Sequence, residues 1–311
     1  MTDRVVFYSQ LDTPEPWRAA LHAALPDLEF AMADAVTDPA GVRYALVWNP
    51  PRGFFARFPD LRMIVSLGAG VDALVTRDDL PPGVAITRLQ DPLMSRMMAS
   101  YVLFATLRLA RDIPAFEAAQ RQARWHFIEP RPLSRIRVGI MGLGELGLFA
   151  ARECARLGFA VSGWSRSPKS EPGITCHAGM DSLPAFLGGC DIVVCMLPKT
   201  PQTIGLLNAE RLAMLPHGAG FINVARGDIV DQDALVEALR SRRIGQAMLD
   251  VFTPEPLPAD HPLWRLDNVL ITPHVASVAL PDSAAPQIAE NIRRLRAGLP
   301  VNDPVDVARG Y

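Results

Sequence analysis

Three residues able to hold an anion or move a proton follow short apolar runs late in the chain. They are Arg226 in Asn223-Val224-Ala225-Arg226-Gly227, Glu255 in Asp250-Val251-Phe252-Thr253-Pro254-Glu255-Pro256, and His274 in Thr272-Pro273-His274-Val275-Ala276-Ser277. A guanidinium polarises an oxygen, an imidazole donates a proton near neutrality, and a carboxylate beside that imidazole favours its charged form and orients the ring. Together they suit hydride addition to a ketone, where the oxygen must be polarised and the developing alkoxide protonated. Singly, each has a plain reading: a satisfied buried histidine, a surface acid between prolines, an ion-pair partner for Asp228. The joint reading is stronger, because ligands bind outside the carboxyl ends of parallel strands and all three would lie there.

Upstream, Arg137-Val138-Gly139-Ile140-Met141 leads into Gly142-Leu143-Gly144-Glu145-Leu146-Gly147, then into an alanine-rich helical pattern reaching Leu157 and a second apolar run from Phe159. GxGxxG alone is a weak signal, but the strand before it and the helix and strand after it supply a dinucleotide-binding context. Gly142 permits the tight turn, Gly144 lets a pyrophosphate approach the backbone, and Gly147 lets helix and strand close together. An NAD-selective site carries an acid about 20 residues on. This chain has Trp164-Ser165-Arg166-Ser167-Pro168-Lys169 there, and Glu171 comes too late to replace the acid. Ser165, Arg166, Ser167 and Lys169 can meet a 2′-phosphate, so NADP(H) is expected in preference to NAD(H).

Such groups need a parallel sheet to position them. Apolar runs at residues 137–141, 159–164, 192–197, 221–224, 247–250 and 269–272, mostly separated by helical patterns, predict a six-stranded doubly wound sheet. Nearer the N-terminus, strands are expected at 5–8, 44–48, 63–66 and 85–87, with a helix over 16–25. A long apolar helix over 96–109 and a second helical stretch ending near Trp125 come next. The proline-rich segment 128–133 marks the start of a new folding unit. A last helix over 282–296 follows the completed sheet and is expected to return to the first unit. The fold class is α/β.

The chain has 311 residues, 31 Lys+Arg against 33 Asp+Glu, and a net charge of −2, which argues against nucleic-acid binding and suits about two domains. The longest apolar run, 97–107, is shorter than the ~20 residues that span a bilayer. No secretory leader is legible at the start. Cys154, Cys176, Cys190 and Cys195 form no CxxC pair, so no metal site is expected and a reducing cytoplasm fits.

These segments, with Ser66-Leu67-Gly68-Ala69-Gly70-Val71-Asp72, resemble the D-2-hydroxyacid dehydrogenase family. Trp48-Asn49-Pro50-Pro51 and Ala308-Arg309-Gly310-Tyr311 resemble its glyoxylate/hydroxypyruvate reductase A branch. The resemblance implies a flavodoxin-like substrate domain from 1–98 and 283–311, a Rossmann domain over 99–282 inserted in it, a cleft joining them, and a homodimer. It implies NADPH-dependent reduction of small 2-keto acids such as glyoxylate and hydroxypyruvate, with Arg226, Glu255 and His274 in the catalytic roles. The backbone of Ala69 and Gly70 would hold the substrate carboxylate, a reading that flexible glycines exposing N–H groups also favour. Asp250 would lie near the nicotinamide amide, with Leu197, Pro198, Val224 and Ala225 as further cofactor contacts. Trp48, Leu93, Met94 and Trp264 are the expected wall facing the substrate side chain. The alternatives are a phenylpyruvate- or pyruvate-type reductase of the family, or a nucleotide-sensing corepressor, which would carry long disordered tails.

Overall fold

The computed structural model describes residues 3–307, so Ala308-Arg309-Gly310-Tyr311 lie outside the described residues. The chain divides into two compact units, Met1–Met94 with Val278–Tyr311, and Ser95–Ser277.

The first unit contains β1 (Arg4–Tyr8), α1 (Pro14–Ala24), β2 (Glu29–Met32), β3 (Val42–Val47), β4 (Met63–Ser66), the short α2 (Asp72–Val75) and β5 (Ala85–Arg88). Its five strands run parallel in the order β2-β1-β3-β4-β5. That is the flavodoxin-like order of doubly wound folds. Parallel strands covered on both faces read as unbroken apolar runs, and Val5-Val6-Phe7 and Ala45-Leu46-Val47 are fully buried accordingly. Phe54, Phe55, Phe58 and Ile64 form the core on one face of the sheet. On the other face Trp17 and Leu21 of α1 join Ala284, Ile288 and Ile292 from the end of the chain.

The second unit follows α3 (Pro92–Ala110), a helix that begins in the first unit and continues into this one, and α4 (Ile113–Arg121). It contains β6 (Arg137–Met141), α5 (Glu145–Leu157), β7 (Ala160–Ser165), β8 (Thr175–Ala178), α6 (Leu183–Gly188), β9 (Ile192–Cys195), α7 (Ala209–Leu212), β10 (Ala219–Asn223), α8 (Gln232–Arg240), β11 (Ile244–Leu249) and β12 (Val269–Ile271). The strands are all parallel in the order β12-β11-β10-β9-β6-β7-β8. This is the Rossmann order, β8-β7-β6-β9-β10-β11, with β12 added beyond it, and the order reverses between β6 and β9. The sheet has seven strands, one more than the expected six. The additional one, β8, is a short edge strand, Thr-Cys-His-Ala, with no apolar run to announce it.

Strand register sets where the site can form. Met141 pairs with both Trp164 and Cys195, Asn223 with both Cys195 and Leu249, and Leu249 with Ile271. The carboxyl ends of β6, β7 and β9 to β12 are therefore level, and the loops after them leave along one edge of the sheet.

The final helix, α9 (Pro281–Arg296), packs on α1 within the first unit. Among the described residues no helix is long and apolar enough to cross a membrane, and no group of three or more His, Cys, Asp or Glu is placed to hold a metal.

Candidate active site

The glycine loop is shaped by what a side chain would meet. Gly142 has φ +105 and donates its N–H to Trp164 O at 2.8 Å, and a Cβ there would come within 2.7 Å of Met196 O. At Gly147 a Cβ would lie 1.8 Å from Gly142 O, so only glycine lets α5 sit this close to its own loop. Gly144 differs, because a Cβ there meets nothing within 4 Å and faces open space. Gly144 is also the N-cap of α5 and contributes no side-chain cap. The first N–H groups of a helix have no partner within it, and they carry the positive end of the helix dipole. Open space in front of them fits the pyrophosphate of a dinucleotide. Leu143 is buried, Leu146 half-buried and Glu145 exposed, so the loop contributes its backbone rather than these side chains.

At the end of β7, Arg166, Ser167 and Lys169 are exposed, whereas Ser165 is buried and its hydroxyl donates to Ser167 O at 2.8 Å, bracing the turn. Glu171 is bound in both oxygens by Arg152 at 2.7 and 2.8 Å. Its carboxylate is thus committed to the pair with Arg152. After β9, Leu197 is buried and Pro198 exposed, and Pro198 O accepts from Thr203 Oγ1 at 2.6 Å. Buried Val224 and Ala225 follow β10, their turn framed by the Asn223 amide, which accepts from Ala225 N at 3.1 Å and donates to Arg226 O at 3.2 Å.

The same turn presents Arg226. Its Nη1 donates to Ala225 O at 2.7 Å, and Asp228 is engaged by Lys199 Nζ at 2.7 Å. Gly227 is obligatory, since a Cβ would meet Phe252 C at 2.1 Å. Glu255 Oε2 lies 2.8 Å from His274 Nδ1, and Glu255 Oε1 accepts from Phe252 N at 2.8 Å. Burial raises the Glu255 carboxyl, but the hydrogen bonds from His274 and Phe252, and the charges of His274 and Arg226, outweigh it and hold the group below the usual carboxylate range. Gln232 of α8 grips the same loop through Thr253, donating to its O at 2.5 Å and accepting from its N at 3.0 Å. The Nδ1 contact with the carboxylate fixes the orientation of the His274 ring.

Asp250 is 1% exposed, and its carboxylate accepts from Thr272 Oγ1 at 2.6 Å and from Val275 N and Ala276 N, both at 2.9 Å. Three of about four acceptor sites on a carboxylate are thus filled by the loop that carries His274. Expected beside a nicotinamide amide, this side chain is chiefly a fastening for that loop. Thr272, Gln232 and Asn223 were not singled out by type or spacing, because each acts on backbone or through a distant partner.

In the first unit, the loop Ser66 to Asp72 is closed by Ser66 Oγ donating to Gly70 O at 2.8 Å. Neither Gly68 nor Gly70 has a left-handed φ. Conformational freedom is therefore not why glycine stands here. A Cβ on Gly68 would lie 2.4 Å from Trp48 Cζ3, so glycine makes room for the Trp48 indole against the loop. Ala69 and Gly70 remain half-buried. The loop after Trp48 is fixed by Arg77, which donates to Pro50 O at 2.8 Å and Pro51 O at 2.7 Å and forms a bidentate pair with Asp79. Met94 is 3% exposed and belongs to the core of its unit, so it is not a wall residue. Leu93 is partly exposed, and Trp264 donates its indole N–H to Pro258 O at 2.9 Å.

A Rossmann sheet whose level strand ends carry a nucleotide loop, an arginine and a paired histidine and glutamate has the equipment of a dinucleotide-dependent oxidoreductase. Residues 103–276 match the model of the D-isomer specific 2-hydroxyacid dehydrogenase NAD binding domain. The chain is 39% identical to glyoxylate/hydroxypyruvate reductase A of Yersinia enterocolitica, over 99% of each sequence. Among solved structures it is similar to a D-isomer specific 2-hydroxyacid dehydrogenase from Xanthobacter autotrophicus Py2 in complex with NADPH and MES (TM-score 0.95, 60% identity, 100% of both chains). It is also similar to an NADPH-dependent glyoxylate/hydroxypyruvate reductase from Sinorhizobium meliloti in complex with NADP and sulfate (TM-score 0.93, 36% identity, 99% of this chain and 100% of the other). The chain belongs to the D-isomer specific 2-hydroxyacid dehydrogenase family.

Proposed function

We propose that the protein reduces small 2-keto acids with NADPH, glyoxylate to glycolate and hydroxypyruvate to D-glycerate. The observation that carries the proton-donor role is the 2.8 Å contact between His274 and Glu255 on the strand edge that also holds the nucleotide loop. A bound reduced nicotinamide supplies the hydride. Arg226 polarises the keto oxygen and binds the substrate's negative charge, and His274, held with Nδ1 on Glu255, gives a proton to the oxygen as the carbonyl carbon is reduced. Ala69 and Gly70 offer backbone N–H groups to the carboxylate, and Trp48 limits the size of the group beyond it. Arg166, Ser167 and Lys169 read the 2′-phosphate, and the similarity to proteins solved with NADPH or NADP supports that cofactor. Oxidation of NADPH by the purified protein against glyoxylate, hydroxypyruvate, pyruvate and phenylpyruvate tests the reading. A preference for phenylpyruvate or for NADH would overturn it.

We further place the protein as a homodimer in a reducing cytoplasm. Trp125 and Phe127, 98% and 79% exposed in the segment between α4 and β6, are the apolar surface a second copy would cover. Light scattering on the wild type and on Trp125→Ser tests the dimer, and wild-type protein of monomer mass would overturn it. All four cysteines are free thiols, as that compartment allows.

A further inference from the structure

His274 has φ +55, a left-handed backbone that a non-glycine residue keeps only when its surroundings over-determine it. The surroundings are Asp250 and what holds Asp250. His274 N donates to Asp250 O at 2.8 Å, and the next two amides, Val275 and Ala276, each donate to its carboxylate at 2.9 Å. Thr272 Oγ1 gives its only hydrogen to Asp250 Oδ1 at 2.6 Å, since a carboxylate has none to offer. Tyr101 Oη is 2.5 Å from Thr272 Oγ1, so the tyrosine must be the donor in that contact. A hydrogen-bond chain of one polarity therefore runs from α3, through Thr272 and Asp250, into the loop that bears the imidazole. Burial, opposed by the Thr272 hydrogen bond and aided by the Asp250 charge, pushes the Tyr101 phenol up to about 12, so it keeps the proton it donates.

We propose that Tyr101 is a positioning residue for His274, acting through Thr272 and Asp250 to hold the imidazole against Glu255. The inference rests on the reading of His274 as proton donor. It assigns a role to a side chain 171 positions from its partner Thr272, on a helix outside every motif of the site. The charged and titratable groups around the imidazole are Glu255 at 2.8 Å, Arg226, whose charge acts on that carboxylate, and Asp250 and Tyr101 behind the loop.

The test uses full-length Tyr101→Phe, assayed for NADPH-dependent glyoxylate reduction across the neutral pH range, with NADPH affinity measured by fluorescence titration. Removing one hydroxyl should lower kcat roughly two- to tenfold while KM for glyoxylate and NADPH affinity stay within about twofold. The alkaline limb of kcat should move, because the ring is no longer held in place against Glu255. Thr272→Val should produce the same shift and Thr272→Ser should restore the limb. Tyr101→Phe should add nothing in the Thr272→Val background. An unmoved limb with unchanged kcat, or losses that add in the double variant, overturns the proposal. If Tyr101→Phe does not fold, the contrast between Thr272→Ser and Thr272→Val decides alone. Full turnover in His274→Gln would overturn the proton-donor reading and this proposal together, whereas an unmoved limb overturns this one only.

Discussion

The two oxygens of Glu255 serve different partners: Oε2 meets His274 Nδ1 at 2.8 Å, and Oε1 accepts the Phe252 amide at 2.8 Å. Loop geometry and charge are therefore separable. Glu255→Gln keeps an oxygen for Phe252 but turns a neutral amide toward the imidazole. The fold should survive, kcat should fall about tenfold or more, and the pH profile of kcat should change, since the imidazole loses the charge beside it. The wild-type carboxyl sits below its ordinary range, so this charge is intact at neutral pH and lost only as pH falls through the depressed value. A superimposable pH profile would make Glu255 purely structural.

If His274 is the proton donor proposed above, His274→Ala should cost on the order of 10² to 10⁴ in kcat with little change in NADPH affinity, because on that reading the ring acts during transfer and the cofactor is held at α5 and after β7. Arg226→Ala should raise KM for the keto acid and lower kcat together, since in the proposed reaction its charge meets the substrate before and during transfer. Steady-state kinetics and an NADPH titration separate the two, and unaltered kinetics in either variant removes that residue from the site.

The glycine loop yields a contrast. Gly147→Ala drives a methyl into Gly142 O and should lower the melting temperature of the cofactor-free protein. Gly144→Ala meets no protein atom within 4 Å and should leave that temperature unchanged while weakening NADPH binding about tenfold or more. Equal melting losses in both variants, or full NADPH affinity in Gly144→Ala, would contradict the role given to the open space.

On the proposed reading, cofactor choice turns on Arg166. A charge-assisted contact is worth about ten- to a hundredfold in affinity, so Arg166→Ala should raise KM for NADPH by that factor and spare KM for NADH. Equal weakening of both cofactors by Arg166→Ala would show that it does not read the phosphate.

Stability in the first unit leans on Arg77 and Asp79, whose side chains are 9% and 10% exposed. Asp79→Asn leaves a buried guanidinium without its counter-charge, at a cost of roughly 3 kcal/mol at neutral pH. The Arg77 hydrogen bond, with burial opposing it and the Phe55 amide assisting, holds the Asp79 carboxyl below its usual value. The difference from wild type is thus full above the ordinary carboxylate range and shrinks as pH falls through that lowered value. Urea unfolding at neutral and acid pH measures it, and a difference independent of pH would refute the electrostatic origin.

Most strands were legible because buried parallel strands are continuous apolar runs, and their ends because polar residues follow at once. The edge strands Glu29–Met32 and Thr175–Ala178 were not, since a strand with one neighbour keeps half-exposed and polar residues. Arg226, Glu255 and His274 stood out by type and position. The Asp250 fastening, Gln232 and Tyr101 did not, because a hydrogen bond to Thr253 from 21 positions away, or to Thr272 from 171, leaves no local pattern. The Gly68-Ala69-Gly70 loop was legible as a loop but not for its reason, because the Trp48 ring that demands Gly68 comes from another strand end.

The division of the chain also orders events on the ribosome. Residues up to Met94 contain all five strands of the first sheet, but the apolar face carrying Trp17 and Leu21 is sealed only by Ala284, Ile288 and Ile292 of α9. At about 5–20 residues per second, roughly ten to forty seconds of synthesis separate the two. The inserted nucleotide-binding unit is complete within that interval, so it is the first to mature. The face carrying Trp17 and Leu21 therefore stays uncovered until α9 has been made.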